Sequence, residues 1–307
     1  MLRRTALHMT YSIVARDPDT GLMGVAVQSH WFSTGSVVTW GEAGVGVVAT
    51  QAFANPSYGP LGLDLMRDGV PAPEALASLL ERDEGSPRRQ VAMVDAKGGV
   101  GVHTGEQCIA GAGHIAGDAY SVQANMMLTD TVPDAMSAAF SSASGDLVSR
   151  LLAALDAAEA AGGDIRGRQS AAILVVGAER SDVHPALGRM VELRVEDHPD
   201  PLAELRRLVG VKRAYDDMNA GDAALASGDA DGAAAGYEAA QSAVPDNMEF
   251  TFWRGMTLAA IGRIDEARPF LERAFRASSG HWRELLERLP DAGMLPEDVL
   301  RRVLENG

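Results

Sequence analysis

The chain has 307 residues, 46% of them hydrophobic and 22% charged, with a formal net charge of −15. This length suits two domains, and the composition is that of a globular protein in which each half can bury a core. The negative charge repels phosphate backbones, so non-specific binding to nucleic acid is not expected. The single cysteine, Cys108, cannot form a disulfide within the chain, which fits a reducing cytoplasm.

Neither a membrane span nor a secretion signal is predicted. No apolar run approaches the roughly 18 residues that a membrane-spanning helix needs. The basic start, residues 1–4, is not followed by the apolar stretch of a signal peptide. We therefore expect a cytoplasmic protein that does not enter a membrane.

The first part of the chain carries strand patterns. Residues 10–16 and 22–29 flank the turn-forming residues 17–21, which predicts a hairpin. Residues 37–40 and 44–51 predict a second hairpin. The last of these strands is apolar on both faces, so we expect it to be buried between two layers.

The order of the later elements predicts the architecture of this first domain. Helices are expected near 59–69, 73–82, 147–161 and 201–209, and strands at 91–95, 100–104, 120–126, 170–176 and 191–195. Hairpins interrupted by helices favour two antiparallel sheets with helices outside them. No glycine-rich phosphate loop follows any strand, so a nucleotide-binding fold is not predicted.

The pattern changes after about residue 212, where strand signals end and alanine becomes frequent. Small residues recur about 34 positions apart, the period of tetratricopeptide repeats, in the pairs Gly221 and Gly255, Gly228 and Gly262, Ala233 and Ala267, and Ala240 and Ala274. We predict two such repeats, at about 214–247 and 248–281, followed by a capping region that contains Trp282. The predicted domains are therefore 9–210 and 211–307.

The helical repeats leave two roles open. They could bind a partner peptide in their groove, or they could mediate only dimerisation. Phe250, Phe252 and Trp253 would serve either role if exposed, although aromatic residues in such repeats more often form the core. Because three repeats are normally needed for stability, we expect this domain to lean on the first domain or on a second subunit.

Several long segments of the first domain are specific to one family. They are Met-Thr-Tyr-Ser-Ile-Val-Ala-Arg-Asp at 9–17, Gly-Val-Ala-Val-Gln-Ser at 24–29, Gly-Val-Gly-Val-Val-Ala-Thr-Gln at 44–51, Ala-Asn-Pro-Ser-Tyr-Gly-Pro at 54–60, Gly-Gly-Asp-Ile-Arg-Gly-Arg-Gln-Ser-Ala at 162–171 and Asp-His-Pro-Asp-Pro at 197–201. With them, residues 9 to about 209 resemble the domain of unknown function 1028, which is grouped with the N-terminal nucleophile hydrolases. The resemblance implies an α+β fold, a four-layer α-β-β-α sandwich. It does not imply a particular substrate.

The resemblance implies that the nucleophile is the first residue of the mature chain, and Thr10 is the candidate. A free α-amine has a pKa near 8 and can serve as general base for its own side chain. Thr10 follows Met9, so either Met9 is the true start or the chain is cut between the two residues. The alternative is that Thr10 is an ordinary β-branched residue of the first strand.

The residues that tune the nucleophile depart from the pattern of the superfamily. Gln28 stands where an acidic residue is common, and neither lysine lies on the third strand, where the superfamily often has one. A cation could come instead from Arg166 or Arg168, unless both are simply solvated. The resemblance also implies that Asp164 and Ser170 hold the amine of the N-terminus. The alternative is that they make only local hydrogen bonds in a turn.

Polar residues at strand ends predict a substrate site. The side-chain amide of Asn125 could stabilise an oxyanion, and one such donor is worth about 3 kcal/mol. Further candidates for substrate contacts, beside the two arginines, are Gln28, Ser29, Thr50, Gln51, Asn55 and Tyr58. The alternative for Thr50, Gln51 and Asn55 is that they are polar only because they lie at a strand end and in the loop after it.

No metal or other cofactor is expected. His30, His103 and His114 have the spacing of no compact ligand motif, and Cys108 has no second cysteine beside it. Cys108 is better explained as a small core residue than as a nucleophile.

Three functions fit the sequence. The first is an amide hydrolase that acts on a small amide or peptide-like substrate through Thr10. The second is a non-catalytic protein of the same fold that binds a small molecule or a partner, and the third is a structural subunit of a homo-oligomer. A free amine on Thr10 separates them, because only the hydrolase requires it.

Overall fold

The computed structural model describes residues 7–8, 10–277 and 279–305. Within them the chain divides after Arg206 into two compact units. No helix in these residues combines the length and the apolar character that crossing a membrane requires.

The first unit contains two antiparallel sheets. Sheet A consists of β1 (Leu7–His8), β4 (Thr39–Glu42), β5 (Gly46–Phe53), β6 (Arg89–Asp95) and β7 (Val100–Thr104). Sheet B consists of β2 (Thr10–Arg16), β3 (Met23–Ser29), β8 (Gly113–Gly117), β9 (Tyr120–Ala124), β10 (Ser170–Val176) and β11 (Arg189–Val195). The strand order is β1-β5-β6-β7 in sheet A, where β4 also pairs with β5, and β11-β10-β3-β2-β9-β8 in sheet B.

The inner faces of the two sheets share one hydrophobic core. Val14 and Val27 of sheet B belong to the same buried cluster as Val47 and Val94 of sheet A. Strand β5 is buried along nearly its whole length, which confirms the prediction from its apolar sequence. The predicted β2–β3 hairpin is also confirmed, with Arg16 opposite Met23 beside the turn.

Helices pack on the outer faces of both sheets. Against sheet A lie α2 (Tyr58–Arg67) and α3 (Ala72–Leu80), whose Leu63 and Leu76 join a cluster with Val48 and Met93. On the other side of the unit, α4 (Val132–Ser142) and α5 (Leu147–Ala160) pack on sheet B. A Cβ added to Gly24 would lie 2.6 Å from Leu151, so α5 approaches the sheet closely where glycine leaves room.

The local predictions for the first unit were incomplete. Residues 37–40, predicted as a strand, are split between the short helix α1 (Gly35–Val38) and β4, and the turn follows at residues 43–45, where Gly44 has a φ of +65°. Helix α4 and strand β8 were missed altogether. The helix does carry start signals, Pro133 and Asp134 in its first turn, which the prediction did not use. The strand begins and ends with glycine and has no strong local signal. Pairing with β9 forms β8.

The second unit is helical. It contains the C-terminal part of α6 (Pro201–Ser227), together with α7 (Ala230–Ala243), α8 (Met248–Ala260), α9 (Ile264–Ala277), α10 (His281–Arg288) and α11 (Glu297–Leu304). The prediction that the helix from residue 201 ends near 209 was wrong. Gly210 costs such a helix only about 1 kcal/mol, and the following residues favour helix, so α6 continues.

Equivalent residues of the two repeats have equivalent roles. A Cβ on Gly221 would lie 2.9 Å from Tyr237, and one on Gly255 would lie 2.8 Å from Leu271, so in both repeats glycine permits close helix packing. Gly228 and Gly262 both have positive φ, 84° and 87°, and end a helix. The period read from the sequence therefore reflects a repeated helical hairpin.

The aromatic residues of the second unit belong mostly to its core. Phe250 and Phe252 are fully buried, and the ring of Trp282 stacks on Phe252 at a centroid distance of 4.9 Å. Trp253 is half-buried. Of the three aromatic residues considered for a ligand surface, Trp253 alone retains substantial exposure.

Replacing Gly236 with alanine should destabilise the second unit. The added Cβ would lie 2.7 Å from the carbonyl oxygen of Asp217 and 2.8 Å from the Cα of Gly221, and both are backbone atoms that cannot move aside. We expect Gly236→Ala to lower the free energy of unfolding by about 1–3 kcal/mol, measured by urea denaturation followed by circular dichroism.

Gly210→Ala is the matched control for this substitution. Nothing lies within 4 Å of a Cβ at Gly210, and the residue is in the interior of α6. Alanine there should raise stability by up to about 1 kcal/mol through helix propensity. Equal effects of the two substitutions would contradict the close helix contact at Gly236.

Candidate functional site

Three hydroxyl side chains stand side by side at one end of sheet B. Thr10, Ser29 and Ser170 face one another in register on β2, β3 and β10. All three are completely buried, and Thr10 Oγ1 donates a hydrogen bond to Ser29 Oγ at 3.2 Å. The predicted catalytic Thr10 is thus next to the predicted substrate-binding Ser29.

The position of Ser170 differs from the one that the resemblance implied. Ser29 separates it from Thr10, so the two outer hydroxyls are two strand spacings apart, roughly 10 Å. Ser170 Oγ accepts a hydrogen bond from Thr34 N at 3.1 Å and donates one to the carbonyl oxygen of Trp31. Ser170 therefore does not contact Thr10 and instead holds the chain that follows β3.

The backbone carbonyl of Thr10 is held by several donors. It accepts hydrogen bonds from the backbone N of Asn125 at 3.1 Å and from Asn125 Nδ2 at 3.3 Å. Gln51 Nε2 of sheet A donates to the same oxygen at 3.2 Å. The structure thus brings together Thr10, Ser29, Gln51 and Asn125 of the predicted site.

Gln90 connects these residues to the rest of sheet A. Its Oε1 accepts hydrogen bonds from Gln51 Nε2 at 2.7 Å and from Asn125 Nδ2 at 2.8 Å. Its Nε2 donates to Thr104 Oγ1 and to the carbonyl oxygen of Ala124. Gln90 is fully buried, so its amide links the two sheets without help from solvent.

Gln90 and Ser12 were not among the residues predicted for the site. Ser12 Oγ donates to Gln51 Oε1 at 2.6 Å and accepts from Gln123 Nε2 at 2.6 Å. A signal was present, because Thr10 and Ser12 occupy alternate positions of a strand that continues with the apolar residues 13–15. We call these connected groups the inter-sheet amide network, which comprises the backbone carbonyl of Thr10 and the side chains of Ser12, Gln51, Gln90, Ser121, Gln123 and Asn125.

The polar cluster predicted after the buried strand is divided by sheet A. Thr50 and Gln51 are neighbours on β5, so they point to opposite faces. Thr50 Oγ1 donates to the carbonyl oxygen of Asn55 at 3.2 Å, on the helix-covered side. Asn55 and Tyr58 line a cavity of about 300 Å³ beside α2 and α3. Thr50, Gln51, Asn55 and Tyr58, predicted to share one pocket, therefore lie on two sides of sheet A.

Tyr58 is anchored by a charged pair. Its hydroxyl donates to Asp83 Oδ2 at 3.1 Å, and Arg89 Nε donates to the same oxygen at 2.8 Å. Burial and the Asp83 carboxylate raise the pKa of Tyr58 well above its usual value. Burial alone would raise the pKa of Asp83, but the hydrogen bonds from Arg89 and Gly85 outweigh it and lower that pKa.

Ser29 is opposite Thr10 and shares the face of sheet B that points to sheet A. Gln28 is the neighbouring residue of β3 and points to the other face, so it lies outside the inter-sheet amide network. It is completely buried, and neither atom of its amide has a hydrogen-bond partner among the described residues. Tyr11 is on the same face, and its hydroxyl donates to Glu159 Oε2 at 2.8 Å. Burial and that carboxylate raise the pKa of Tyr11 well above its usual value.

Asp164, Arg166 and Arg168 form ion pairs near this outer face. Arg166 binds the Asp164 carboxylate through Nη2 at 2.7 Å, and Asp164 Oδ2 also accepts from His30 N at 3.1 Å. Arg168 pairs with Glu159 at 3.3 Å and with Asp200 at 3.5 Å. Among the hydrogen bonds and ion pairs of the described residues, none joins Asp164, Arg166 or Arg168 to Thr10. Asp164 holds the end of β3 through His30.

The histidines and the cysteine have local partners. His103 contacts the carbonyl oxygen of Ser86 at 2.8 Å, and His114 contacts Thr104 Oγ1 at 2.9 Å. Burial raises the pKa of the half-buried Cys108 thiol. Within the described ranges, no group of three or more histidine, cysteine or acidic residues is arranged to hold a metal ion.

The fold and this site define a mixed α/β unit with two antiparallel sheets, followed by a helical repeat unit. Residues 218–281 match the tetratricopeptide repeat, as the sequence period predicted. Residues 10–205 match a family described as a family of unknown function, DUF1028. The chain belongs to this DUF1028 family.

A solved structure supports the assignment. The crystal structure of protein SPO2555 from Silicibacter pomeroyi, which carries the DUF1028 family model, is 32% identical to this chain, with a TM-score of 0.58. The match covers 66% of this chain and 88% of that one. No curated protein matches the chain.

Replacing Gln90 with methionine should destabilise the first unit strongly. The apolar side chain has a similar length, but it leaves buried donors of Gln51 and Asn125 without their shared acceptor. We expect the free energy of unfolding to fall by about 2–4 kcal/mol in urea denaturation. Thr50→Val, on the opposite face of sheet A, should cost about 1 kcal/mol, and a similar loss for both variants would argue against a special role for the network.

Proposed function

We propose that the first unit is an N-terminal nucleophile hydrolase that cleaves an amide bond in a small amide or peptide-like substrate. Its two sheets and outer helices are compatible with the four-layer α-β-β-α sandwich of that superfamily. The observation that carries the proposal is the position of Thr10. It begins β2, beside Ser29 and Asn125, at the point where the chain passes from sheet A to sheet B.

The mechanism requires that Thr10 become the first residue. In the described chain, Leu7 and His8 pair with Phe53 and Ala52 of sheet A, so the Thr10 nitrogen belongs to a peptide bond. Met9, the other half of the proposed junction, lies outside the described residues. Synthesis from Met9 followed by removal of that methionine, or cleavage before Thr10, would provide the α-amine.

The free amine would then act as general base. It takes the proton of Thr10 Oγ1 while that oxygen forms a bond to the substrate carbonyl carbon. The bond from this carbon to nitrogen breaks, and the proton passes to the leaving amine, which leaves an ester on Thr10. A water molecule hydrolyses the ester, releases the acid and restores the threonine hydroxyl.

Neighbouring residues can be given roles in this scheme. Asn125 directly follows β9, its side-chain amide lies 3.3 Å from the carbonyl oxygen of Thr10, and it is assigned to the oxyanion. Ser29 Oγ, 3.2 Å from Thr10 Oγ1, orients the nucleophile. Asp164 and Ser170 are positioning residues, because they hold the chain after Ser29 through His30 N and Thr34 N.

A non-catalytic binding function is the second candidate, and a specific observation favours it. Thr10 is completely buried, and its carbonyl oxygen is bound by Asn125 and Gln51. Such an arrangement also suits a residue whose task is to join two sheets. The expected cytoplasmic location and homo-oligomer remain predictions under either function.

The test compares two forms of the protein with a β-lactone, an electrophile that acylates nucleophilic hydroxyls. One form begins at Thr10, and the other is kept with Met1 as its first residue. We expect the form with a free Thr10 amine to gain one acyl group on Thr10, located by mass spectrometry of peptides. The rate should rise with pH through about 8, where an α-amine loses its proton.

Variants of Thr10 make the outcome decisive. Thr10→Ser should retain acylation, and Thr10→Ala should lose it at least about a hundredfold. Thr20→Ala, in the exposed turn between β2 and β3, should leave the rate unchanged. Equal labelling of the Met1 form, or no labelling of Thr10 in either form, would overturn the hydrolase and favour the binding function.

A further inference from the structure

The strand at one end of sheet B presents an edge that no described strand covers. β11 is last in the strand order of this sheet and, among the described strands, pairs only with β10. An exposed strand edge is a template on which another strand can pair. We propose that two copies of this chain associate through this edge, with their β11 strands antiparallel about a two-fold axis at Leu193. The proposal does not depend on the activity of Thr10.

The two faces of β11 differ in character. Val191, Leu193 and Val195 share one face of the strand and are at least partly buried. Glu192 and Arg194 point to the other face and are exposed. The strand therefore has an apolar face and a charged face.

Symmetry limits the register that two copies can adopt. A two-fold axis that makes two neighbouring strands antiparallel is perpendicular to the sheet, so each side chain stays on its own face and the residue at the axis lies opposite its own copy. With the axis at Leu193, Glu192 lies opposite Arg194 of the second copy on both sides of the axis. With the axis at Glu192 or at Arg194, like charges meet directly, which destabilises the pair. With the axis at Val191, neither charge meets an opposite one.

The axis at Leu193 also matches the apolar residues. Leu193 then lies opposite its own copy, and Val191 lies opposite Val195. Apolar pairs and pairs of opposite charge across neighbouring strands both stabilise a sheet. Both faces of β11 are thus complementary to themselves in one register, which a contact between two copies requires and a contact with a different protein does not.

The charges of this edge already have partners within the chain. Glu192 pairs with Arg189 at 2.6 Å, and Arg194 pairs with Glu196 at 3.1 Å. The side chains of both pairs are exposed, and exposed ion pairs contribute little to stability. A carboxylate also has two oxygens and can accept hydrogen bonds from a second arginine. Glu192 and Arg194 can therefore bind the second copy without a large loss.

The part of β11 around the proposed axis is regular. Its register with β10 is unbroken from Val191 to Val195, and the β-bulge, a feature that blunts many exposed edges, lies beyond it near Met190. Met190 is 54% exposed, and Leu187, just before the strand, is 66% exposed. These apolar side chains adjoin the proposed interface, and exposed apolar surface marks sites of interaction.

Disulfide formation in the full chain tests the register. In a Cys108→Ser background, Leu193→Cys places the introduced thiol at the axis, opposite its own copy. The Cα atoms of such a pair are about 4.5–5.5 Å apart, a distance that a disulfide spans. Val191→Cys is the matched control on the same face, because its two copies are four residues apart along the strands, about 13 Å. We expect oxidised Leu193→Cys to run mostly as a covalent dimer on a denaturing gel, and Val191→Cys to run as a monomer.

Charge reversal tests the interface without cysteines. Glu192→Arg and Arg194→Glu each place like charges opposite each other twice, so each should raise the dimer dissociation constant at least about tenfold in analytical ultracentrifugation. The combined variant Glu192→Arg/Arg194→Glu restores both opposite-charge pairs and keeps the net charge, so the constant should return to within about fivefold of its original value. Arg302→Glu, on an exposed side chain of α11, changes the net charge as Arg194→Glu does and should leave the constant unchanged.

Four outcomes would overturn the proposal. They are a chain that is monomeric at about 100 μM, cross-linking of Val191→Cys as fast as that of Leu193→Cys, a dimer that neither single charge reversal weakens, and equal weakening by Arg302→Glu and Arg194→Glu. Thermal unfolding confirms that each variant is folded. Glu192 and Arg194 are exposed, so their substitution leaves the core of the first unit intact.

Discussion

The two sheets of the first unit are joined through amide groups that have no contact with water. Gln51 and Gln90 of sheet A bind Asn125 and the carbonyl oxygen of Thr10 from sheet B. A buried amide without a partner costs on the order of 1–3 kcal/mol, so each sheet must hold its partner's register. A slip of one residue in β2 would turn Ser12 away from Gln51 and break the network.

The same network limits the chemistry that is possible at Thr10. A nucleophile must meet its substrate, yet here the threonine is enclosed by Ser29, Asn125 and Gln51. The hydrolase and the binding function therefore differ in one physical respect, which is whether the chain before Thr10 is present. The pairing of Leu7 and His8 with β5 connects the start of the described chain to sheet A beside this site.

The second unit separates its charges in a way that composition does not reveal. The chain has a net charge of −15, and several carboxylates of the second unit, among them Glu266 and Glu287, pair with an arginine three or four residues away. Asp222 and Glu249 are bound to tyrosines instead. A carboxylate held by a neutral donor keeps its charge, whereas one paired with arginine is neutralised.

Local patterns in the sequence determined the β2–β3 hairpin, the burial of β5 and the recurrence of Gly221 at Gly255, because turn chemistry, apolar runs and repeat spacing act over short distances. Helix α4 was missed although Pro133 and Asp134 mark its start, and α6 runs past residue 209, where its end was predicted. Tertiary structure alone decided that Thr50 and Gln51 serve different layers, that Ser29 rather than Ser170 touches Thr10, and that Gln90 completes the network. These contacts join strands far apart in sequence, so they depend on sheet order and register, which no single segment encodes.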